Sequence, residues 1–427
     1  MNYTSIIGSG FVGYRNVHNS YLLNIVNETK YFWLRTLFHK DMILVISGIY
    51  ISYDFFGDKQ IPLTVWQYIR FVGEKWYRLT VKMLASLLVF NLLSLIGSGP
   101  LWNTGYPTFV ESCSQNYWAN LLFISNLIHE SSQLCNPGTW FILLIFQLHI
   151  ISPLFLVPFK ISPHFGYIFN LIAFLLTCVV NILQKLLLNL KAMPYEAAEV
   201  HTAIEMRQSI MRLFGFPDQY ISIFIVGIVF GYIMRNKNQL DNLVKNIHVK
   251  FVNSIICYSL FIAVIAWSEN FKDMNVIQNK YNFNLWFTFG KVFWTIANLW
   301  LMYDVLSKDM FQVLLSSSLF GVILRLSYGI LLIGPIVIGY RKLTLRDTVP
   351  LRHSAQIEHL IMDIALMIVI SYLMYIFIEY PLIKLLNIFK NKKLDKKQNN
   401  LIVKSTQTAI DENSMLSNKS GSQLRIY

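Results

Sequence analysis

Nine apolar runs, each close to the length that a helix needs to cross a lipid bilayer, constrain this chain more than any other feature. A helix rises about 1.5 Å per residue, so about 20 apolar residues cross the hydrocarbon core. Of the 427 residues, 55% are hydrophobic and only 14% are charged, too few charges for a water-exposed globular surface. The pattern therefore predicts an all-α, polytopic transmembrane helix bundle of about nine spanning helices. The predicted spans cover residues 32–53, 79–97, 139–159, 165–184, 219–234, 250–267, 283–303, 317–340 and 358–378.

The lysines and arginines between these runs predict the orientation, because short cytosolic loops are enriched in both. Residues 54–78 and the segment after the fifth span are basic, whereas residues 98–138 contain neither lysine nor arginine. This predicts an outer or lumenal N-terminus and a cytosolic C-terminus, in the plasma membrane or the endoplasmic reticulum. The net charge of +13 is split into short blocks between apolar runs, so no nucleic-acid partner is expected.

One basic segment disagrees with this orientation. It lies between the last two spans, on the predicted outer side, and carries Arg341, Lys342, Arg346 and Arg352. Three explanations stay open: the span count is wrong there, the cations serve a site, or they lie near lipid headgroups.

The composition also predicts three regions along the chain. Residues 1–31 lack a long apolar run and form a short outer or lumenal segment, residues 32–388 form the transmembrane domain, and residues 389–427 form a disordered, basic cytosolic tail. Asn2 and Asn27 each begin a tripeptide that accepts N-glycosylation if it lies outside the cytosol.

The two cysteines outside the predicted spans, Cys113 and Cys135, both lie in the predicted outer loop. An oxidising compartment permits a disulfide between them, and closing a loop of about 20 residues would stabilise the fold by about 3 kcal/mol in the chain-entropy model. The alternative is a pair of unpaired structural thiols. Cys178 and Cys257 lie within spans and are interpreted as small core residues.

Ionisable residues in or beside the spans are the remaining candidates for catalysis or binding. Because a charge is costly in hydrocarbon, such side chains are expected to face the protein interior or a water-filled cavity. They are Asp41, Lys82, His149, Lys291, Arg325, Asp363 and Glu379. Lys82 could instead extend its charge to the membrane surface, and Asp363 could simply pair with Arg325. His149, two residues after Gln147, is either a general base or a hydrogen-bonded interior histidine. The sequence contains none of the common local motifs of metal sites or of soluble serine hydrolases.

An ordered set of short segments across roughly residues 18–388 resembles the nose-resistant-to-fluoxetine-like proteins of invertebrates, which belong to the acyltransferase family 3 superfamily. The segments are ISG at 46–48, RLT at 78–80, GSGPLW at 97–102, ESC at 111–113, NYWANLLFISN at 116–126, Cys135, Trp140, QLHIISP at 147–153, GIVFGY at 227–232, RLSY at 325–328 and EYP at 379–381.

The resemblance implies an acyltransferase-3-like domain. Such a domain would move an acyl group, other than an amino-acyl group, from acyl-CoA to a hydroxyl of a lipid or glycan. Acyl-CoA is then a co-substrate, membrane lipids are partners, and no bound cofactor or metal is expected. A basic collar of Lys75, Arg78 and Lys82 could hold the phosphates of coenzyme A, although the positive-inside rule alone also explains these residues.

The resemblance also leaves the activity open. In similar proteins a first-span histidine, about ten residues after an arginine, is the presumed base. His18 stands at the matching distance from Ser47, but Ile7 stands near the arginine position, and Gly334 replaces a second family histidine. The chain is therefore expected to be part of a longer protein or a diverged member with weakened or no transferase activity.

These considerations leave three function classes and a set of site residues. The alternatives to an acyltransferase are a non-enzymatic or degenerate member that transports lipids or small hydrophobic molecules across or within membranes, and a structural or partner-binding protein. The candidate catalytic residues are His18 and His149. The residues expected to shape the bundle or line its cavity are Asp41, Ser47, Trp140, Gln147, Arg325, Tyr328 and Glu379.

Overall fold

The computed structural model describes residues 14–15, 38, 41–57, 65–99, 102–128, 138–187, 212, 214–236, 247–269, 280–306, 317–346, 349–350, 353–385 and 388. Ten long α-helices follow one another in this part of the chain: α1 (Asp41–Phe55), α2 (Val65–Leu92), α3 (Trp102–Leu121), α4 (Thr139–Ile161), α5 (Pro163–Leu187), α6 (Asp218–Arg235), α7 (Ile247–Glu269), α8 (Lys280–Leu306), α9 (Ser318–Thr344) and α10 (His353–Met374). A 3₁₀ turn, Leu93–Leu95, follows α2, and a π-helix, Tyr375–Glu379, follows α10. Two strands of two residues each, β1 (Tyr14–Arg15) and β2 (Val349–Pro350), pair in parallel. The predicted all-α class is confirmed.

Within the residues that the structure describes, five helices are long and apolar enough to cross a membrane: α4, α5, α6, the Phe320–Thr344 part of α9, and a helical stretch Ile357–Leu385 that continues α10. A shorter apolar helical stretch, Phe251–Trp267, lies in α7. The multi-pass character is therefore confirmed at this level, whereas the count of nine spans is not. The described part of the first predicted span, α1, has only 15 residues.

Two connecting segments that the sequence predicted to be loops contain helix instead. α2 begins at Val65, well before the predicted span at residue 79, and an ion pair between Arg70 and Glu74 (3.2 Å) supports its exposed first half. In the predicted outer loop, α3 forms because its aromatic side chains find packing partners. Trp102 stacks on Tyr106 at 4.4 Å between ring centroids, and its edge meets Tyr340 of α9 at 5.6 Å.

The end of α3 closes in a Schellman motif. The amide of Phe123 donates to the Asn120 carbonyl (3.0 Å), and the amide of Ile124 donates to the Ala119 carbonyl (2.9 Å). Phe123 has φ of 59°, a left-handed conformation that is uncommon for a bulky residue. Cys113 lies on α3, but Cys135 lies outside the described residues, so the predicted disulfide stays a prediction.

The tightest helix contact is between α1 and α6, and glycines permit it. A Cβ atom at Gly227 would lie 2.5 Å from the Val45 carbonyl oxygen, and one at Gly231 would lie 2.6 Å from the Ile49 carbonyl oxygen. On the facing helix, a Cβ at Gly48 would lie 2.9 Å from the Phe224 carbonyl oxygen. Small residues spaced four apart allow membrane helices to approach closely in this way. Buried side chains of α1, α4, α6 and α8 form the main core around this contact, and partly buried side chains of α5 pack against it.

The chain forms two compact units, Met1–Ser371 and Tyr372–Tyr427. In the described part of the second unit, the π-helix holds Glu379, whose side chain is buried. The Tyr375 and Tyr380 rings lie 6.3 Å apart, and the Lys384 ammonium lies 6.0 Å from the Tyr380 ring. The predicted boundaries at residues 31 and 388 stay predictions, because most of the two terminal regions lies outside the described residues.

Candidate functional site

A hydrogen bond between Ser47 of α1 and His149 of α4 lies at the centre of the candidate site. The Ser47 Oγ and His149 Nε2 atoms are 2.6 Å apart, and the two residues are only 8% and 6% exposed. The close packing of α1 on α6, at Gly48, fixes the helix that presents Ser47. On α4, the Ser152 hydroxyl donates to the His149 carbonyl at 2.7 Å. The bundle thus pairs a hydroxyl with an imidazole in its apolar interior.

The second ring nitrogen of His149 has unused hydrogen-bonding capacity. Nδ1 is buried, with no hydrogen-bond partner among the residues that the structure describes. A neutral imidazole carries one N–H donor and one acceptor lone pair. If the Ser47 hydroxyl donates to Nε2, the pair has the form of a nucleophile with its base. If Nε2 donates instead, the Nδ1 lone pair can act as a base toward another hydroxyl.

Lys75 of α2 lies beside this pair. Its ammonium is 5.2 Å from the centroid of the Tyr50 ring and interacts electrostatically with the His149 ring. The Tyr68 hydroxyl donates to the Ile150 carbonyl at 2.9 Å, which holds α2 against α4 at this level. Tyr50, one turn beyond Ser47, is 58% exposed, so the site is open on this side.

The three residues of the predicted collar lie on one face of α2, because their spacing is three and four residues. Burial lowers the pKa of Lys75, whereas the Asp54 carboxylate raises that pKa and the Arg78 guanidinium lowers it further. Arg78 is exposed, and the Lys82 ammonium lies 4.4 Å above the ring of Tyr328 on α9. The structure therefore brings Ser47, Lys75, Lys82, His149 and Tyr328 into one region from four helices. The roles of these five residues stay predictions.

Gln147 belongs to a different contact. It is two residues before His149, so the two side chains leave α4 on different faces. Its Nε2 donates to the Phe123 carbonyl and to Asn126 Oδ1, both at 2.7 Å, and Asn126 Nδ2 donates back at 3.0 Å. Asn126 Nδ2 also donates to the Gly215 carbonyl at 2.6 Å. Gln147 thus ties the end of α3 to α4 and to the segment before α6.

A second set of buried polar groups, which we call the lysine cluster, joins α1, α5, α6 and α8. It consists of Asp41, Lys185, Tyr220, Thr288 and Lys291, each at most 3% exposed. Lys291 Nζ lies 4.0 Å from Asp41 Oδ2, and Lys185 Nζ donates to Thr288 Oγ1 at 2.7 Å. The two ammonium groups lie 4.1 and 4.5 Å from the ring centroid of Phe287. Lysine ammonium groups over aromatic rings are stabilised by the charge distribution of the ring.

The remaining predicted residues lie elsewhere. Asp363 forms a bidentate ion pair with Arg341, at 2.7 to 3.2 Å, so its suggested pairing with Arg325 is wrong. Arg341 belongs to the basic segment that disagrees with the predicted orientation. The Asp363 carboxylate compensates the charge of Arg341. Arg325 is exposed, and half-buried Trp140 packs against the Phe141 ring at 5.3 Å. His18 lies outside the described residues.

Sequence reasoning missed Tyr50 beside the Ser47–His149 pair and Lys185, Tyr220 and Thr288 of the lysine cluster. Tyr50 was overlooked because an aromatic residue in an apolar run is ordinarily lipid-facing or core. Lys185 directly follows the predicted span 165–184, where a lysine is expected to extend its charge to the membrane surface. Its position four residues after Asn181, on the same helix face, is the one signal that indicated a polar interior.

A comparison with characterised proteins supports the predicted resemblance. Nose resistant to fluoxetine protein 6 of Caenorhabditis elegans is 22% identical over 233 residues, which make up 51% of this chain. The chain is thus similar, at a distant level, to a nose-resistant-to-fluoxetine protein. The matched part spans only 28% of the length of that relative. No protein-family model matches the chain, and no solved structure matches it.

Proposed function

We propose that this chain, which is distantly similar to a nose-resistant-to-fluoxetine protein, is a membrane acyltransferase. It moves an acyl group, other than an amino-acyl group, from acyl-CoA to a hydroxyl of a lipid or glycan. The observation that carries the proposal is the buried hydrogen bond of 2.6 Å between Ser47 and His149, with Lys75 beside it. A hydroxyl and an imidazole in contact, next to a cation, are the groups that acyl transfer to an alcohol requires.

In this reaction His149 acts as the general base. It accepts the proton of the attacking hydroxyl as the hydroxyl oxygen bonds to the thioester carbonyl carbon. The carbon–sulfur bond then breaks, and the coenzyme A sulfur leaves with the proton. A positioned base of this kind typically contributes about 10²- to 10⁴-fold to the rate.

The collar of α2 suits the donor. Lys75 and Arg78 supply cations for the phosphates of coenzyme A, and charge-assisted contacts of this kind are strong. α1 ends at Phe55, eight positions after Ser47. The hydroxyl therefore lies about 12 Å inside that end of the helix, a depth that the extended thiol-bearing arm of coenzyme A can reach.

We also propose the orientation in which the collar faces the cytosol, where acyl-CoA is found, in the plasma membrane or the endoplasmic reticulum. The distribution of lysine and arginine along the sequence supports it.

The decisive experiment is acyl transfer by the purified, full-length protein in lipid nanodiscs, supplied with labelled acyl-CoA and candidate lipid or glycan acceptors. We expect transfer by the wild type and a loss of about 10²- to 10⁴-fold in His149→Gln. His164→Gln, at an exposed position of α5, is the matched control and should keep the wild-type rate. Transfer that survives His149→Gln removes His149 from this role, and a wild type without any transfer contradicts the proposed function.

The lysine cluster favours a second candidate, a carrier of lipids or small hydrophobic molecules. Ionisable residues buried in a membrane protein often mark the path of a transported substrate. A carrier should move a fluorescent lipid between vesicles in the absence of acyl-CoA, and Lys185→Met should slow it. Transfer of acyl groups without lipid movement would exclude this candidate.

A further inference from the structure

We infer that Ser47 itself carries the acyl group, so that transfer passes through an ester on the Ser47 hydroxyl. This inference rests on the proposed function and adds the residue that holds the acyl group between donor and acceptor. The alternative is direct transfer from acyl-CoA to the acceptor, in which Ser47 would only orient His149.

Comparison with other buried helical serines supports a special role for Ser47. A serine hydroxyl in a helix can bond a backbone carbonyl of the preceding turn. Buried Ser86 and Ser152 do so, at 2.8 and 2.7 Å, whereas the hydroxyls of buried Ser52 and Ser371 have no hydrogen-bond partner among the described residues. Ser47 lies in the middle of α1 and instead bonds His149 across the bundle. Its hydroxyl is therefore presented to an imidazole rather than satisfied locally.

The geometry is that of a nucleophile and its base. A separation of 2.6 Å lies within the 2.6 to 3.2 Å of activated nucleophiles, which is about hydrogen-bond distance. With the Ser47 hydroxyl donating to Nε2, the proton of the neutral imidazole resides on Nδ1. The ring lies near Phe224, whose ring centroid is 6.5 Å away. The two residues thus form a dyad.

Two balanced steps follow. In the first, Ser47 Oγ bonds to the acyl carbonyl carbon, its proton passes to His149 Nε2, and the carbon–sulfur bond breaks. The coenzyme A sulfur takes that proton and leaves as the thiol. In the second, the acceptor hydroxyl gives its proton to His149, its oxygen bonds to the acyl carbon, and the ester bond to Ser47 breaks. Ser47 Oγ then recovers a proton from His149.

A stepwise route also suits a deeply buried dyad. Ser47 and His149 are each less than 9% exposed, whereas Tyr50 on the same helix face is 58% exposed. Donor and acceptor can use the side at Tyr50 in turn, because the acyl group remains on Ser47 after coenzyme A has left. Direct transfer would require both substrates to occupy the dyad together.

The test is a search for the acyl-enzyme in the full-length protein in nanodiscs, incubated with isotope-labelled acetyl-CoA and no acceptor. We expect the mass of the Ser47 peptide to rise by one acetyl group, hydroxylamine to remove it, and an added acceptor to discharge it. Ser47→Ala should lose both the adduct and transfer, by at least about 10²-fold. Ser47→Cys should instead carry a thioester. Ser52→Ala is the control, since Ser52 is fully buried on the same helix.

The outcomes separate the inference from the proposed function. Initial rates are measured against acyl-CoA concentration at several acceptor concentrations. Parallel lines in the double-reciprocal plots, together with the Ser47 adduct, support the stepwise route. Wild-type transfer that persists in Ser47→Ala, or an adduct on another residue, overturns the inference and leaves the proposed function standing. A wild type that neither transfers nor accepts the label overturns both.

Discussion

The Ser47–His149 dyad and the lysine cluster both place polar groups of α1 in the interior of a membrane protein, but they differ in charge and in packing. The dyad is a neutral pair with a buried, unbonded Nδ1 among the described residues and an exposed neighbour, Tyr50. The lysine cluster contains charges that are enclosed among α1, α5, α6 and α8 and contact one another or aromatic rings. A buried charge is tolerated only with partners, so removing one member of the cluster should destabilise the fold. A polar group with unused capacity is available to a substrate.

The largest effect on stability should come from the lysine cluster. Lys291→Met removes a cation that lies 4.0 Å from the Asp41 carboxylate, and breaking one side of a buried pair typically costs about 3–5 kcal/mol. We expect a clear fall in the melting temperature in detergent. The double variant Asp41→Asn/Lys291→Met should recover most of it, because no uncompensated charge then remains.

The exposed Lys384→Met is the matched control and should melt like the wild type. If Lys291→Met melts at the wild-type temperature, or if the double variant is as unstable as the single one, the cluster does not serve the fold in this way.

α1 contributes residues to both the dyad and the lysine cluster. Disturbing its contact with α6 should therefore lower both stability and acyl transfer, with a smaller loss of stability than in Lys291→Met. Gly227→Ala places a Cβ atom 2.5 Å from the Val45 carbonyl oxygen and should cost about 1–3 kcal/mol through overpacking. It should lower acyl transfer as well, because Ser47 moves with α1.

The same substitution at an open position is the control for this prediction. A Cβ atom at Gly73 of α2 would meet no other atom within 4 Å, so Gly73→Ala should stabilise the helix by about 0.5–1 kcal/mol. Equal melting temperatures for the two alanine variants would contradict the close contact between α1 and α6.

The sequence predicted the two regions unequally. The all-α class follows from the length of the apolar runs. The ionisable residues in the spans indicated Lys82 and His149, and the family resemblance indicated Ser47, Lys75 and Tyr328; the structure places all five together. The structure of α3 was not predictable from its polar composition, because Trp102 is buried by Tyr340, more than two hundred positions away. Lys185 was missed because a lysine at the end of an apolar run has the same local pattern whether its side chain reaches the membrane surface or the interior.

The smallest change in stability is expected for Lys75→Met, at the edge of the dyad, and it should be a gain rather than a loss. Burial lowers the pKa of Lys75, so at neutral pH the folded state holds a charge that its surroundings disfavour. Lys75→Met should therefore raise the stability by less than about 1 kcal/mol, since lost contacts with the Tyr50 and Phe71 rings offset part of the gain. The difference from the wild type should shrink as the pH rises toward the ordinary lysine pKa of about 10.4, because the lysine then loses its charge in both states. Acyl transfer should nevertheless fall, through a higher KM for acyl-CoA. A Lys75→Met variant that is strongly destabilised would assign Lys75 to the fold, like Lys291, and would erase the distinction between the open region and the closed one.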